Sequence, residues 1–270
     1  MSLVSFAKGH ATENDFIIVR DRHNMAPFSP QIVQLICDRH RGVGSDGIVR
    51  AVKADLMPEW DGDPSLWFMD YWNPDGTIAE MCGNGLRVFA RYLLDEDLVA
   101  KPKFQIATRA GLRTVWEKPG GVLRTSMGPA VIGQSTWVTV SGRRFDAISV
   151  NVGNPHAVVM LPDDVDLTKL DLHEAPGFDV GLFPNGVNTE FVHPAGGHHE
   201  VVRFFERGAG ETRSCGTGAV AVAAVASQLC DGAWTIDVPG GRLTVDFDDD
   251  GAYLTGPAVI VARGDLVLPE

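Results

Sequence analysis

Apolar and polar positions along this chain fall mostly into short runs that are rich in β-branched and aromatic residues. Such runs, when they are bounded by turn-forming residues, predict β-strands. The predicted strands cover residues 16–20, 66–72, 104–108, 138–140, 148–152, 157–161, 189–193, 201–205 and 253–262. Glycine pairs at 120–121 and 240–241 and the sequence DDG at 249–251 supply turns between strands.

Helical patterns are fewer and cover residues 30–40, 86–94 and 219–229. The third of these segments is apolar on nearly every face, which predicts a helix buried on all sides. The second carries Arg87 and Arg91 one turn apart, which predicts a single polar stripe along an otherwise apolar helix. Strands and helices together predict an α+β fold.

The chain also contains an internal repeat with a period of about 130 residues, too long for a solenoid unit. Four matches recur at nearly the same offset and in the same order: Asn14 with Asn154, Cys82 with Cys215, GLRTV at Gly111 with GRLTV at Gly241, and GPAVI at Gly128 and at Gly256. The repeat predicts two pseudo-symmetric lobes, residues 1–124 and 125–270, each a strand-rich sheet or barrel around a central helix. We expect the last ~12 residues to pack back on the first lobe and the active site to lie in the cleft between the lobes.

Composition narrows the classes of partner. The net charge of −12, with 44% hydrophobic and 21% charged residues, fits an ordinary globular protein and disfavours binding to nucleic acid or anionic membranes. No apolar run reaches the ~18 residues of a membrane span, and no signal peptide is visible. These observations predict a cytoplasmic protein.

The four cysteines predict free thiols in that reducing compartment. Cys37 and His40 are spaced like metal ligands, but no second pair completes a zinc site, so no metal is expected.

Two cysteines stand at the start of predicted helices, in MCGNG at 81–85 and in SCGTG at 214–218. The N–H groups of a first helical turn lack partners and carry the positive end of the helix dipole, so they favour a carboxylate and a thiolate. An isolated cysteine there could equally be a small core residue. Two related by a repeat suggest one substrate carboxylate held between two helix ends, with a thiol on each face of the adjacent carbon acting as general base or acid.

Several motifs together resemble the diaminopimelate epimerase family. They are NDF at 14–16, NPDG at 73–76, MCGNG with Arg87, GNPH at 153–156, GVNTEF at 186–191 and ERGAGETRSCGTG at 206–218, and they span almost the whole chain in the family's order. The resemblance implies interconversion of LL- and meso-diaminopimelate, a small-molecule substrate, without pyridoxal phosphate, another cofactor or a metal. It implies a role in lysine and peptidoglycan synthesis and a homodimer.

The resemblance also implies the roles of individual residues. Cys82 and Cys215 would be the paired acid and base, with His156 and Glu206 tuning the thiols. Gly83, Asn84, Gly216 and Thr217 would hold the reacting α-carboxylate, and Glu206 would meet the α-ammonium. The groups that read the distal end of the substrate would be Asn14, Asn73, Asn154, Asn188 and Arg207. Which cysteine acts as base in each direction stays open, and turn formation alone could explain Asn14, Asn73 and Asn188.

Other functions are also consistent with this sequence, and the sequence differs from the family pattern at several positions. A proline or hydroxyproline racemase shares the two-lobed fold and paired cysteines, although its first motif usually reads MCGHG where this chain has Asn84. A noncatalytic binding protein or a thiol redox protein would use the same cysteines differently. Residues 54–66 lengthen the connection before NPDG, and Gly47 stands where some relatives have a polar side chain.

Overall fold

A computed structural model describes residues 2–26, 28–230 and 232–268. It divides into two compact units, the first formed by Met1–Thr125 with Pro257–Glu270 and the second by Ser126–Gly256. The helices are α1 (Pro30–Cys37), α2 (Gly83–Asp95) and α3 (Gly216–Ser227). None of the described helices is both long enough and apolar enough to span a membrane.

The first unit contains one mixed sheet in which β18 is the neighbour of β1. Its strands are β1 (Ser2–Ala11), β2 (Asn14–Arg20), β3 (Ile48–Lys53), β4 (Trp67–Trp72), β5 (Lys103–Thr108), β6 (Gly111–Glu117) and β18 (Val259–Leu268), and β7 (Leu123–Gly128) begins in this unit and ends in the second. They pair in the order β18–β1–β2–β3–β4–β5–β6–β7. The pairs β2–β3 and β4–β5 are parallel and the others are antiparallel.

The second unit repeats this topology. Its strands are β8 (Val131–Val140), β9 (Arg143–Asn151), β10 (Pro155–Met160), β11 (Gly177–Phe178), β12 (Asn188–Pro194), β13 (His199–Glu206), β14 (Gly210–Thr212), β15 (Trp234–Val238), β16 (Gly241–Asp248) and β17 (Gly251–Gly256). The order β8–β9–β10–β12–β13–β15–β16–β17 has parallel pairs at the same two places, β10–β12 and β13–β15. The repeat in the sequence is therefore a repeat of sheet topology.

The helices α2 and α3 lie in equivalent crossovers. Parallel neighbours need a long connection between them, and α2 joins β4 to β5 as α3 joins β13 to β15. In the first unit, the apolar side of α2 packs through Leu86, Phe89 and Leu93 against the sheet residues Phe16 and Met69. In the second unit, α3 packs against strands on several sides, and every residue from Gly216 to Ala224 is buried.

The predicted α+β class, with two strand-rich halves each built around a helix, is confirmed. The single strand predicted over residues 253–262 is wrong, because β17 ends at Gly256 and β18 begins at Val259. Pro257 between them has no N–H to donate to a ladder. The polar stripe predicted for α2 is also wrong at one position: Arg91 is partly exposed and pairs with Glu117, but Arg87 is fully buried.

Candidate active site

Cys82 is the N-cap of α2. Its backbone is extended (φ −136°, ψ 124°), and its carbonyl accepts the first helical hydrogen bond from Leu86 N at 2.8 Å. The sulfur itself accepts from Gly85 N at 3.4 Å, so it occupies the place that a serine or aspartate oxygen takes in ordinary caps. The cap therefore fixes the thiol at the positive end of the helix.

Three amide and guanidinium side chains form a chain of hydrogen bonds beneath this thiol. Asn84 Nδ2 donates to Asn14 Oδ1 at 3.0 Å, and the Cys82 sulfur lies 4.0 Å from the same oxygen. Arg87 donates to Asn84 Oδ1 at 2.6 Å and to the carbonyl of Gly83 at 3.4 Å. Asn84 is thereby held with its nitrogen toward Asn14 and its oxygen toward Arg87.

Asn14 is in turn oriented by Asp46. Its Nδ2 donates to Asp46 Oδ2 at 2.8 Å, and the other Asp46 oxygen accepts from Arg39 at 2.7 Å. An amide whose nitrogen is occupied by a carboxylate must present its oxygen on the other side, toward Asn84 and Cys82. Asp46 therefore decides which atom of Asn14 faces the thiol.

Asn73 lies in the NPDG turn that precedes Cys82. Its Nδ2 donates to Thr77 Oγ1 at 3.0 Å, and its own N–H donates to Thr77 O at 2.8 Å. Gly76 in this turn has a positive φ of 83° and packs against Pro30. The Asn73 side chain thus closes its own turn, which fits the turn-forming interpretation of this residue.

Cys215 is the N-cap of α3, with nearly the same backbone angles as Cys82 (φ −128°, ψ 116°). Its carbonyl accepts from Ala219 N at 2.9 Å, and its sulfur lies 3.6 Å from Thr217 Oγ1. Cys215 is buried, whereas Cys82 keeps part of its surface exposed.

A polar chain leads away from Cys215 into the second unit. Asn154 Nδ2 donates to Thr217 Oγ1 at 3.4 Å, and Asn154 Oδ1 lies 2.9 Å from His156 Nε2. His156 Nδ1 lies 2.7 Å from Glu190 Oε1. His156 and Glu190 are both fully buried, so this chain is enclosed at its inner end.

Glu206 stands next to Cys215 and hydrogen bonds with it. Thr212 Oγ1 donates to Glu206 Oε1 at 2.6 Å. Burial raises the pKa of Glu206 above its usual range, although the hydrogen bonds from Thr212 and Cys215 act in the opposite direction. A carboxylate in this state gains from the approach of a cation, which would restore its ionised form.

Burial also raises the pKa of the Cys215 thiol well above its ordinary value, and the negative charges of Glu206 and Glu190 add to the effect. The helix N-terminus alone would lower it. Desolvation and two carboxylates outweigh the helix dipole here, so Cys215 holds its proton in the ligand-free protein.

Asn188 and Arg207 form a separate contact at the start of β12 and the end of β13. Asn188 Oδ1 accepts from the backbone N–H of Arg207 at 2.9 Å, and Arg207 Nη1 donates to Asn185 O at 3.0 Å. Arg207 is exposed, so its guanidinium has free surface for a further partner. The structure thus brings together one group of predicted residues around each cysteine: Asn14, Gly83 and Asn84 with Cys82, and Asn154, His156, Glu206, Gly216 and Thr217 with Cys215.

Two residues of these groups were not predicted from the sequence. Glu190 lies within the apolar run TEFVH, and a carboxylate in a run of strand residues is a recognisable signal of a buried polar site. Asp46 lies in the loop between α1 and β3 and carries no comparable signal, because its partner Asn14 is distant along the chain. Among the described residues, no three histidine, cysteine or acidic side chains are grouped as metal ligands.

The fold is shared with a solved structure. A probable proline racemase from Agrobacterium radiobacter K84 superposes with a TM-score of 0.69 at 14% identity, covering 98% of this chain and 93% of the other. This likeness places the chain among proteins with the racemase fold and shows no more than the fold.

Sequence comparison gives the particular family. The model of the diaminopimelate epimerase family matches residues 6–133 and 148–261. Proteins named diaminopimelate epimerase from Corynebacterium glutamicum (strain R) and Streptomyces coelicolor are each 45% identical to this chain, covering 97% of it and 98% and 95% of their own lengths. The chain belongs to the diaminopimelate epimerase family, and the predicted resemblance is confirmed.

Proposed function

We propose that this protein is an isomerase that interconverts LL- and meso-2,6-diaminopimelate, a step in lysine and peptidoglycan biosynthesis. The observation that carries the proposal is the pair of cysteines that cap α2 and α3 in a chain whose relatives, at 45% identity over nearly full length, are diaminopimelate epimerases. Equivalent thiols on equivalent helices suit a reaction in which a proton is removed from one face of a carbon and another is added to the opposite face.

The proposed chemistry moves one proton off the α-carbon and another onto it. A thiolate takes the α-proton as general base and becomes a thiol, and the opposite thiol gives its proton to the other face and becomes a thiolate. The total charge of the two sulfurs is the same before and after. Negative charge that develops beside the α-carboxylate is stabilised by the N–H groups at the helix ends. The mechanism requires both sulfurs to reach the same carbon.

The side chains around each cysteine suit the binding roles implied by the family. Gly83, Asn84, Gly216 and Thr217 follow the two cysteines in the first helical turns, where unpaired N–H groups favour a carboxylate. Glu206 suits an α-ammonium because it is a partly buried carboxylate whose hydrogen bonds come from Thr212 and Cys215, neither of which carries a positive charge. We assign the distal ammonium and carboxylate to Asn14, Asn73, Asn154, Asn188 and Arg207, since amides and a guanidinium match those groups.

The proposal is tested by incubating the purified protein with LL-diaminopimelate in deuterated water and following the α-carbon by NMR. We expect meso product that carries deuterium at the inverted carbon, and early product more heavily labelled than recovered substrate. Cys82→Ala and Cys215→Ala should each abolish turnover while the protein stays folded. Turnover of proline or hydroxyproline without turnover of diaminopimelate would overturn the proposal in favour of the racemase alternative.

We further propose a cytoplasmic homodimer, on the strength of the family resemblance. Light scattering on the purified chain should give about twice its 29.1 kDa. A monomer mass with full activity would contradict the proposed dimer and leave the proposed reaction unaffected.

A further inference from the structure

Arg87 is the largest fully buried side chain in the described part of the chain, with no exposed surface. Its guanidinium donates to Asn84 Oδ1 and Gly83 O, and Nε has no hydrogen-bond partner. Among the described residues, no aspartate or glutamate oxygen lies within ion-pair distance of it. A buried cation without a carboxylate is costly, because it loses its water and gains no opposite charge.

The position of Arg87 adds to this cost. It lies in the second turn of α2 and reaches back to the helix N-terminus, which already carries positive charge. Burial lowers the pKa of the guanidinium to about 10, which still leaves it charged at neutral pH, and negative charge on Cys82 acts in the opposite direction. The sulfur of Cys82 is the group at this helix end whose ionisation would supply that charge, and Arg87 must then outweigh the opposing effect of Asn14 Oδ1, an acceptor 4.0 Å from the sulfur.

Among the described residues, the charged strand side chains that pair with α2 do so beyond Arg87, toward the C-terminal part of the helix: Glu117 with Arg91, and Arg263 with Asp95 and Glu96. Strand residues facing the helix belong to the apolar core of the first unit, namely Ala7, Ala11, Phe16, Ile18, Val49, Ala51, Met69 and Tyr71, with Ala258 and Ile260 before and in β18. Arg50 and Asp70 alternate with these residues and pair with one another on the other side of the sheet. Tyr71 is a titratable group of this core. Two acidic residues lie close to Cys82 in contacts or in sequence: Asp46, which is linked to it through Asn14, and the exposed Glu80, two positions before it.

The equivalent site in the second unit has the opposite electrostatics. Val220 follows Cys215 at the position where Arg87 follows Cys82. The thiol of Cys215 faces Glu206 and Glu190 instead of a cation. Both cysteines cap helices of similar length, so the helix dipole does not distinguish them.

We propose that Arg87 is a positioning residue whose buried charge holds Cys82 as the resident thiolate, so that in the ligand-free enzyme α2 presents the base and α3 presents the acid. This inference rests on the proposed function, because the terms base and acid refer to the proposed transfer of protons at the α-carbon. After a turnover that starts from this state, Cys82 carries a proton and Cys215 carries the charge, and the enzyme returns to its resting state when one proton leaves Cys82 and one reaches Cys215. Arg87 also fixes Asn84, so its charge and its hydrogen bond act at the same helix end.

The inference is tested by the pH dependence of alkylation at each cysteine. Ligand-free wild-type protein is treated with iodoacetamide from pH 5 to pH 11, and the rate at each cysteine is read from its peptide by mass spectrometry. Cys230 is exposed, and its alkylation checks that the reagent is active in the same sample. We define the midpoint of a cysteine as the pH at which its alkylation reaches half of its maximal rate. We expect the midpoint of Cys82 to lie at least about one pH unit below that of Cys215. A Cys82 midpoint equal to or above that of Cys215 would overturn the inference without any variant.

Variants separate charge from structure. Arg87→Met should raise the Cys82 midpoint by about one pH unit or more and leave the Cys215 midpoint in place, whereas Arg87→Lys should keep it low. Arg91→Met is the matched control, because it removes a cation from the next turn of α2 that already has Glu117 as its partner. A folded Arg87→Met protein with an unmoved Cys82 midpoint would overturn the inference. If Arg87→Met does not fold, the test uses Arg87→Lys and wild type. Both must show a Cys82 midpoint below that of Cys215, and a higher midpoint in either would overturn the inference.

The measurement does not depend on turnover. If the protein fails to epimerise diaminopimelate but Cys82 titrates low and responds to Arg87, the proposed reaction is wrong and the electrostatic role stands. If epimerisation is found and the two cysteines titrate together, the reaction stands and the role of Arg87 is wrong.

Discussion

His156 Nδ1 lies 2.7 Å from Glu190 Oε1, and neither side chain has any exposed surface. The two residues come from neighbouring parallel strands, since His156 is opposite Asn188 and Glu190 follows two positions along β12. The other ring nitrogen faces Asn154, so His156 connects a buried carboxylate to the helix end that carries Cys215. The loss of one partner from a buried pair of this kind lowers the stability of the protein, because the remaining polar group stays buried without a hydrogen-bond partner.

Replacing His156 by leucine should therefore destabilise the protein by about 3 kcal/mol, since it leaves Glu190 without its buried partner. The measurement is urea unfolding at pH 7, monitored by circular dichroism. The double variant His156→Leu/Glu190→Leu should recover part of the loss, because it removes the orphaned carboxylate as well. Additive losses in the double variant would show that the two side chains do not depend on one another.

Gly218 is predicted to be intolerant of a side chain. A Cβ there would lie 2.9 Å from Glu190 Oε1 and 2.9 Å from a ring carbon of Phe204, so Gly218→Ala should cost about 2 kcal/mol of unfolding free energy. Gly85 is its counterpart in α2 and offers a matched control. A Cβ at Gly85 would lie 3.0 Å from the terminal methyl of Met69, which can move, so Gly85→Ala should change stability by less than about 1 kcal/mol. Equal losses at both positions in thermal or urea unfolding would contradict this account.

Stability should fall in alkaline solution because of Cys215. Its pKa is raised by burial in the folded protein, so the folded state keeps a proton that the unfolded thiol releases near pH 9.0. The contribution of this thiol is fully present below pH 9.0 and is lost as the pH rises toward its folded pKa. In urea unfolding from pH 8 to pH 10.5, Cys215→Ala should lose stability less steeply than wild type, by up to about 1.4 kcal/mol per pH unit.

The exposed Cys230 gives the control for this pH dependence. Cys230→Ala should follow the wild-type curve throughout the range, because the folded protein does not enclose that thiol. A Cys215→Ala curve that runs parallel to wild type would show that Cys215 ionises equally in the folded and unfolded states.

Asp46 should matter for turnover although it lies behind the cysteine. Asp46→Ala frees the amide of Asn14 to rotate, because the carboxylate that holds Asn14 Nδ2 is lost. We expect kcat/KM for diaminopimelate to fall by about 10- to 100-fold, as is typical when a group that positions the reacting atoms is misplaced. Steady-state kinetics measure the effect, and circular dichroism checks the fold.

Asp63→Ala is the comparison for Asp46→Ala. Its carboxylate also accepts hydrogen bonds within the first unit, but from the backbone and hydroxyl of Ser65 in an exposed loop. It should leave kcat/KM unchanged. A similar loss in both variants would indicate a general effect of removing acidic residues and not a role in orienting Asn14.

Sequence patterns predicted the features that depend on local chemistry. The two helices with a cysteine at the N-cap follow from glycine-rich starts and apolar runs, and the fully buried α3 follows from its alanine and valine content. The internal repeat predicted the doubling of the sheet, because equivalent sequences form equivalent strands. Resemblance supplied the family, which the near full-length matches confirm.

What the sequence could not predict depends on contacts between distant segments. Arginine is normally a surface residue, so the spacing of Arg87 and Arg91 indicated a polar stripe. In the folded unit, where α2 packs against β1 to β4 and β18, Arg87 is fully buried. The link from Asp46 to Asn14 and the raised pKa of Cys215 likewise arise from neighbours that no local pattern brings together.

The pairing of β1 with β18 has a consequence for synthesis on the ribosome. β1 is made before the second unit, and its partner along nearly its whole length follows that entire unit. Ser126–Gly256 is continuous and can fold as it emerges, whereas nascent β1 must wait with one edge unpaired. We therefore expect β1 to be the segment that binds chaperones and aggregates when translation is interrupted. A circular permutant that begins at β18 and continues into β1 should bind chaperones less and aggregate less.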